Sequence, residues 1–141
     1  MEDKYQRDMD RVRVTDVDYL ATLVADYLKK TGTLPLSSKI DDKDIEVFIS
    51  HREIPQSILE QAAKLPIRIM PVTDLKSELE AGLKKDIKLP SDPQNVATFA
   101  PNLYVLHVNT KYACVAGHLY FARDKARNVD GKYYKYERCV P

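Results

Sequence analysis

From residue 17 to residue 28 the chain reads Val17-Asp18-Tyr19-Leu20-Ala21-Thr22-Leu23-Val24-Ala25-Asp26-Tyr27-Leu28. Apolar side chains recur here every three or four residues, which places them along one stripe of an α-helix. We predict that this stripe packs the helix on a sheet through Val17, Leu20, Val24 and Leu28. Charged side chains are expected on the other faces: Asp16, Asp18, Asp26 and Lys29.

The helix is expected to begin near Asp8 or earlier and to end at Thr31-Gly32, so that residues 1–31 form an N-terminal helix. Gly32 can adopt the left-handed conformation that ends helices, and Pro35 follows shortly after. The segment 3–13 is polar nearly all round. Such a segment is stable as a helix only with outside support, for instance from further helix before it.

Residues 36–95 are expected to form a connecting region of alternating elements. Apolar spacing predicts a strand at 45–49, a helix at 54–65, a strand at 67–70 and a second helix that Thr73 caps. Gly82 weakens that second helix modestly. Two prolines and several turn formers exclude regular structure from Leu89 to Asn95.

Residues 102–139 are expected to form an antiparallel sheet. Period-2 alternation predicts strands at 103–108, 111–121 and 132–139. A tight Asn109-Thr110 turn would join the first two strands, and a polar loop would join the last two. The predicted fold is therefore one α+β domain over residues 1–141, with a long helix packed on an antiparallel sheet.

Composition limits the function. The 141 residues include 22 Lys and Arg and 21 Asp and Glu, which gives a formal net charge of +1. That balance argues against nucleic-acid binding, which needs clustered basic residues. No apolar run approaches the roughly 18 residues of a membrane span. The charged first residues do not form a signal peptide, and alone they favour a cytoplasmic protein.

Two stretches occur in an informative order. The first combines charged residues with a leucine stripe and ends in a Tyr and a Gly-x-x-Pro exit: Arg7-Asp8, Arg11, Asp16, Leu20, Leu23 and Tyr27-Leu28-Lys29-Lys30-Thr31-Gly32-Thr33-Leu34-Pro35. The second combines leucines, a proline-rich corner and a strand: Leu79, Leu83, Ile87-Lys88-Leu89-Pro90-Ser91-Asp92-Pro93-Gln94-Asn95, Tyr104 and Tyr112-Ala113-Cys114-Val115-Ala116-Gly117-His118-Leu119. In this order they resemble the type IV pilins and type II secretion pseudopilins.

The resemblance implies a structural subunit of a pilus or pseudopilus, not an enzyme, without a cofactor. Such subunits assemble with other pilin-like subunits through the N-terminal helix. An apolar segment, missing here, precedes the matching residues in the family and anchors the subunit in the inner membrane. The resemblance therefore implies a periplasmic or extracellular domain. Residues 41–72 depart from the family pattern and are interpreted as an α/β insertion in the connecting region.

The two cysteines, Cys114 and Cys139, are compatible with two thiols or with one disulfide. Many pilins close a C-terminal loop by a disulfide, so the resemblance favours a Cys114–Cys139 bond. Without the resemblance, two reduced thiols in a cytosolic protein would be the preferred interpretation.

Other candidate sites carry weaker signals. His107, Cys114, His118 and Cys139 are conceivable metal ligands, but no closely spaced Cys or His pair is present. Asp124, Asn128 and Asp130 could offer oxygen ligands to calcium, which some pseudopilins hold in this region. Their spacing does not match an EF-hand and is more simply a turn.

A second hypothesis is a cytosolic α/β module that binds another protein, such as an immunity, antitoxin or regulatory protein. Residues 45–83 would then form a βαβ layer, and the last strands would extend one mixed sheet. A third hypothesis is a small hydrolase or transferase that uses His51 or His118. No nucleophile motif supports it.

Overall fold

The structure is a computed structural model, and it describes residues 2–94, 103–129, 131 and 133–141. The fold class is α+β, with a long N-terminal helix and a six-stranded mixed sheet. Predictions that involve Asn95 or Asp130 lie outside the described residues. Among the described helices, none combines the length and the apolar character that crossing a bilayer requires.

The helix α1 spans Glu2–Thr31. It is followed by a 3-10 turn at Ser37–Lys39, β1 (Asp44–Ile49), α2 (Gln56–Ala63), β2 (Ile67–Ile69), α3 (Val72–Leu83), β3 (Tyr104–Val108), β4 (Ala113–Leu119), β5 (Ala126–Val129) and β6 (Tyr133–Val140). At Gly32 the φ angle is 82°, and its amide donates to the Leu28 carbonyl at 2.8 Å. The predicted helix end is therefore confirmed.

The strands lie in the order β2-β1-β3-β4-β6-β5. β1 and β2 are parallel and are connected through α2, whereas all other neighbours are antiparallel. The predicted antiparallel pairing of the strands within residues 102–139 is confirmed. These strands are not a separate sheet, because β1 and β2 extend them into one mixed sheet, as the α/β hypothesis predicted. Since β1 buries Ile45, Val47 and Ile49 on one face, it continues the inner surface of β3 and joins the same core.

The sheet has two different faces. Its inner face carries buried apolar residues and packs against α1 and α3. On the α1 side, Val17, Leu20 and Val24 are buried, and Leu28 is half-buried against the same core. The outer face is partly exposed and carries polar side chains from β1, β3, β4 and β6.

Three local predictions differ from the structure. The hairpin between β3 and β4 has a four-residue loop, because the Asn109 side chain accepts the amides of Lys111 and Tyr112, both at 2.8 Å. The predicted polar loop before β6 contains β5, which pairs with β6 at the sheet edge. The helix α3 begins at Val72 after Pro71 and has no side-chain cap, so the Thr73 cap was wrong.

Gly82 has a packing role in α3. A Cβ on Gly82 would lie 2.7 Å from Cδ2 of Tyr27 and 3.1 Å from Cγ2 of Thr31. The Tyr27 side chain is buried on α1. The missing side chain at Gly82 therefore lets the Tyr27 ring pack directly on α3.

We expect Gly82→Ala to destabilise the protein by about 1–3 kcal/mol, because the added methyl displaces a packed ring. Helix propensity alone would favour alanine by roughly 1 kcal/mol. The measurement is the free energy of unfolding in urea. Ala81→Gly, at the exposed neighbouring position, is the control for propensity. A stabilised Gly82→Ala variant would show that Tyr27 repacks without cost.

Candidate functional site

A fully buried arginine joins α1 to the proline-rich corner at 89–94. The Arg13 side chain is 0% exposed, and its Nε and Nη2 donate to the two carboxylate oxygens of Asp92 at 2.8 and 3.2 Å. Its Nη1 donates to Asp10 at 2.9 Å, and Nη2 also donates to Gln94. We call Asp10, Arg13, Asp92 and Gln94 the arginine clamp.

The clamp also reaches the end of β4. Both Asp10 oxygens accept the amide of Tyr120 at 3.1 Å, and one accepts the amide of Phe121 at 3.0 Å. The Arg13 guanidinium lies 5.1 Å from the centre of the Tyr120 ring, within the range of a cation–π contact. Three separate segments of the chain therefore meet at one buried charge.

The charges in the clamp are compensated. Burial by itself lowers the pKa of Arg13, but hydrogen bonds and charges from Asp92 and Asp10 outweigh it and raise that pKa above its ordinary value. The guanidinium is therefore charged at any physiological pH. Two carboxylates face one cation, and the surplus negative charge is met by backbone amides, including that of Gln94 at 3.0 Å from Asp92.

Two further aspartates tie α1 to the sheet. The fully buried Tyr104 donates its hydroxyl to Asp16 at 2.8 Å, and burial followed by the Asp16 hydrogen bond raises the Tyr104 pKa. Asp18 accepts from the Tyr136 hydroxyl at 2.7 Å and from Arg138 at 2.9 Å. Asp16 and Asp18 lie off the apolar stripe, as predicted, but they are only half-exposed because both bond to the sheet.

Sequence reasoning missed the clamp, although a signal was present. The spacing of Val17, Leu20 and Val24, extended toward the N-terminus, reaches Arg13 and Asp10. These polar residues continue the buried stripe, so the polar segment 3–13 has support within the domain. A charged residue at an apolar position of a helical pattern is the signal that could have found them.

His51 also contacts the proline-rich corner, through its side chain and its backbone amide. Its Nε2 lies 2.6 Å from the Leu89 carbonyl, and its amide donates to the Ser91 hydroxyl at 3.3 Å. Leu89 is buried in the core. A role in holding the corner accounts for His51, for which the sequence alone identified no partner.

A neighbouring face of α1, about 100° around the helix from Arg13 and Leu20, carries an exposed apolar stripe. Tyr5, Val12 and Tyr19 are 51%, 39% and 43% exposed, and they are spaced seven residues apart. Seven residues are close to two helical turns, so the three side chains line one side of α1. We call them the α1 stripe.

The outer sheet face holds the disulfide. Cys114 and Cys139 are directly opposite each other on β4 and β6 and form a disulfide bond. The chain-entropy relation gives about 3.5 kcal/mol of stabilisation for a loop of this size, whose cysteines are 25 residues apart. The cysteines therefore offer no thiolate to a metal in this state.

Of the four suggested metal ligands, His107, Cys114 and Cys139 lie side by side on β3, β4 and β6, whereas His118 does not join them. Cys114 and His118 are four residues apart on one strand, which is roughly 13 Å at ~3.3 Å per residue. Burial, followed by the charge of Lys135, lowers the pKa of His118, and its Nδ1 has no partner among the described residues. In the suspected calcium loop, the Asn128 side chain accepts the Gly131 amide at 2.8 Å, and Asp124 is exposed.

His107 bridges two carboxylates on the same outer face. Its Nδ1 lies 2.9 Å from Glu46 and its Nε2 lies 2.9 Å from Asp44, both on β1. Burial lowers the pKa of His107, but the two carboxylates outweigh it and the net shift is upward. The imidazole therefore joins β1 to β3, and the two carboxylates favour its protonated form.

The comparisons with known proteins are negative: no protein-family model matches the chain, and neither does a curated protein or a solved structure.

We expect Arg13→Met to lower the free energy of unfolding by about 3–5 kcal/mol, because it leaves Asp10 and Asp92 buried without a cation. The control is Arg11→Met, whose pair with Asp8 is at the surface with the arginine 72% exposed. That substitution should cost at most about 1 kcal/mol. Urea denaturation followed by circular dichroism measures both. Equal losses in the two variants would contradict a special role for the clamp.

We expect the stabilisation from His107 to be present in acid and lost in base. A pKa raised in the folded state stabilises the fold below the unfolded value of about 6.5, and the effect disappears as the pH rises through the folded pKa. The difference in unfolding free energy between wild type and His107→Gln should therefore shrink from pH 5 to pH 9. In an Asp44→Asn/Glu46→Gln background the difference should no longer shrink as the pH rises, because only the burial of His107, which lowers its pKa, remains. A difference that grows with pH would exclude the bridge.

Proposed function

We propose that this chain is the globular part of a structural subunit of a type IV pilus or a type II secretion pseudopilus. Its role would be assembly with other pilin-like subunits, without catalysis. An apolar segment before the helix would anchor the subunit in the inner membrane, and the domain would lie in the periplasm or outside the cell.

The observation that carries the proposal is the bond between Arg13 and Asp92. The resemblance depends on two stretches, the helix and the Leu-Pro-x-Asp-Pro corner, which are 79 residues apart at this contact. A fortuitous pair of loose motifs has no reason to meet in three dimensions. Here the aspartate of the corner binds the helix directly through a buried ion pair. The two stretches therefore behave as parts of one structural unit.

The α1 stripe supports assembly through the helix. The clamp turns Asp10 and Arg13 toward the interior, and Tyr5, Val12 and Tyr19, about 100° around the helix, stay exposed to solvent. Apolar residues at heptad spacing are the pattern by which helices pack side by side. Head-to-tail contacts that repeat without closing produce a filament. The disulfide is consistent with an oxidising compartment.

The α/β module of the second hypothesis is favoured by one observation, the parallel unit β1-α2-β2. Such a unit is typical of α/β domains. A module that binds a partner in the cytosol would need neither the α1 stripe nor an anchor. Its cysteines would be reduced in the cell.

We expect the double variant Val12→Glu/Tyr19→Glu to abolish filament assembly. The protein would be expressed from its natural locus, with all upstream coding sequence retained. Buried carboxylates at a helix interface are unfavourable, and each ~1.4 kcal/mol lost is already about tenfold in an association constant. Filaments would be quantified by shearing and electron microscopy. The cell fraction that contains the subunit would be identified by immunoblotting.

The matched control is Leu65→Glu, which places the same charge at another exposed apolar residue (54% exposed), just after α2. This variant should assemble normally. A wild-type protein that is cytosolic and forms no filament would overturn the proposal in favour of the α/β module. Equal assembly of the two variants would exclude the α1 stripe as the contact surface.

A further inference from the structure

Two neighbouring rows of the outer sheet face bring together three groups that bind metals when deprotonated. Cys114 on β4 is directly opposite Cys139 on β6, and Glu137 precedes Cys139 by two residues on the same face of β6. One ligand atom from each of these residues lies within 4.8 Å of the other two. We call Cys114, Glu137 and Cys139 the outer triad.

The triad has the donor chemistry of a zinc site. Two thiolates and a carboxylate are common ligands of Zn²⁺, which prefers four ligands in a tetrahedron. Zn–S bonds of about 2.3 Å place two bound sulfurs roughly 3.8 Å apart. The two cysteines are directly opposite each other with Cα atoms 4.0 Å apart. Once the S–S bond is broken, rotation about the two Cα–Cβ bonds can bring the sulfurs to that separation.

The site is accessible from solvent. Glu137 and Cys139 are exposed, and Cys114 lies beneath them. The triad borders a groove of about 360 Å³, whose lining includes Cys114, Glu137 and His107. Water from the groove can take the fourth position. His107 is directly opposite Cys114 on β3, but both of its ring nitrogens bond to Glu46 and Asp44, so it is not counted among the ligands.

We propose that reduction of the Cys114–Cys139 disulfide converts the outer triad into a zinc site, with two thiolates and the Glu137 carboxylate as ligands. A dithiol reductant supplies two electrons and two protons and is itself oxidised to a disulfide. The S–S bond breaks and two thiols form. Zn²⁺ then displaces the two thiol protons to solvent and forms two Zn–S bonds. The disulfide and the metal exclude each other, because both use the same sulfurs.

This inference does not depend on the proposed filament function, because the triad lies on the sheet face opposite α1. It gives the cysteine pair two alternative cross-links between β4 and β6. The disulfide joins the strands under oxidising conditions, and the metal joins them when a reductant is present.

The test uses the full chain, reduced with a phosphine and desalted without oxygen. Co²⁺ is the spectroscopic probe, and Zn²⁺ competition against a chromophoric chelator gives the affinity. We expect about one Co²⁺ per chain, with thiolate-to-cobalt charge-transfer absorption and the intense visible bands of a tetrahedral site. The oxidised protein should give neither signal.

Glu137→Gln should weaken Zn²⁺ binding by about tenfold or more, since even the loss of an outer-shell partner costs about 10–100-fold. The matched control is Glu53→Gln, an exposed residue between β1 and α2, which should leave the affinity unchanged. Circular dichroism checks that each reduced protein is folded. The proposal is overturned if the reduced chain binds no metal, or if the two variants bind equally. Equal binding is also the expected result if reduction unfolds the chain.

Discussion

The Arg13 guanidinium lies in the interior of the protein and has no neutral form available to it at physiological pH. Its charge is compensated only where Asp10, Asp92 and the side chain of Gln94 converge. That convergence requires α1, the proline-rich corner and the end of β4 to be in place together. A slip of α1 by one turn would leave carboxylates buried without a cation. The cost of such a state, several kcal/mol, greatly exceeds that of a displaced apolar contact.

The orientation of the whole helix follows from this constraint. With Asp10 and Arg13 turned inward, Asp16 and Asp18 come within hydrogen-bond distance of Tyr104 and Tyr136. The α1 stripe then stays exposed on the neighbouring face of the helix. The rotation of α1 about its axis therefore explains both why polar residues of its N-terminal half are buried and why the apolar residues of the α1 stripe are exposed.

The sheet contributes a separate outer surface. Its antiparallel part holds the disulfide, and His107 connects that part to β1. The unit β1-α2-β2 extends the sheet without disturbing the clamp, since it joins at the β3 edge, whereas α1 packs on β4 and β6. A fold by itself does not imply a function. The filament proposal accordingly depends on the helix and the corner, and not on the order of the strands.

Several elements could be predicted from the residues because their causes are local. The apolar spacing from Val17 to Leu28 determined the helix, Gly32 determined its end, and the alternation of Ile45, Val47 and Ile49 determined a strand. Local patterns do not contain strand partners. For this reason the residues left the place of β1 and β2 in the sheet to two rival hypotheses, and the edge strand β5 was not foreseen.

The pairing of the two cysteines was expected only through a family resemblance. In the structure, β4 and β6 are neighbours, and this pairing places Cys114 directly opposite Cys139. The arginine clamp required the tertiary structure most of all. From sequence alone, a charged residue is expected at the surface, because burying a lone charge is unfavourable. The burial of Arg13 is compensated by Asp92, which is 79 residues away in the chain. The sequence by itself therefore determined where helices and strands form and which faces are apolar. Only the tertiary structure determined which charged side chains are buried, because a charge can be buried only beside compensating partners, and these can be distant in the sequence.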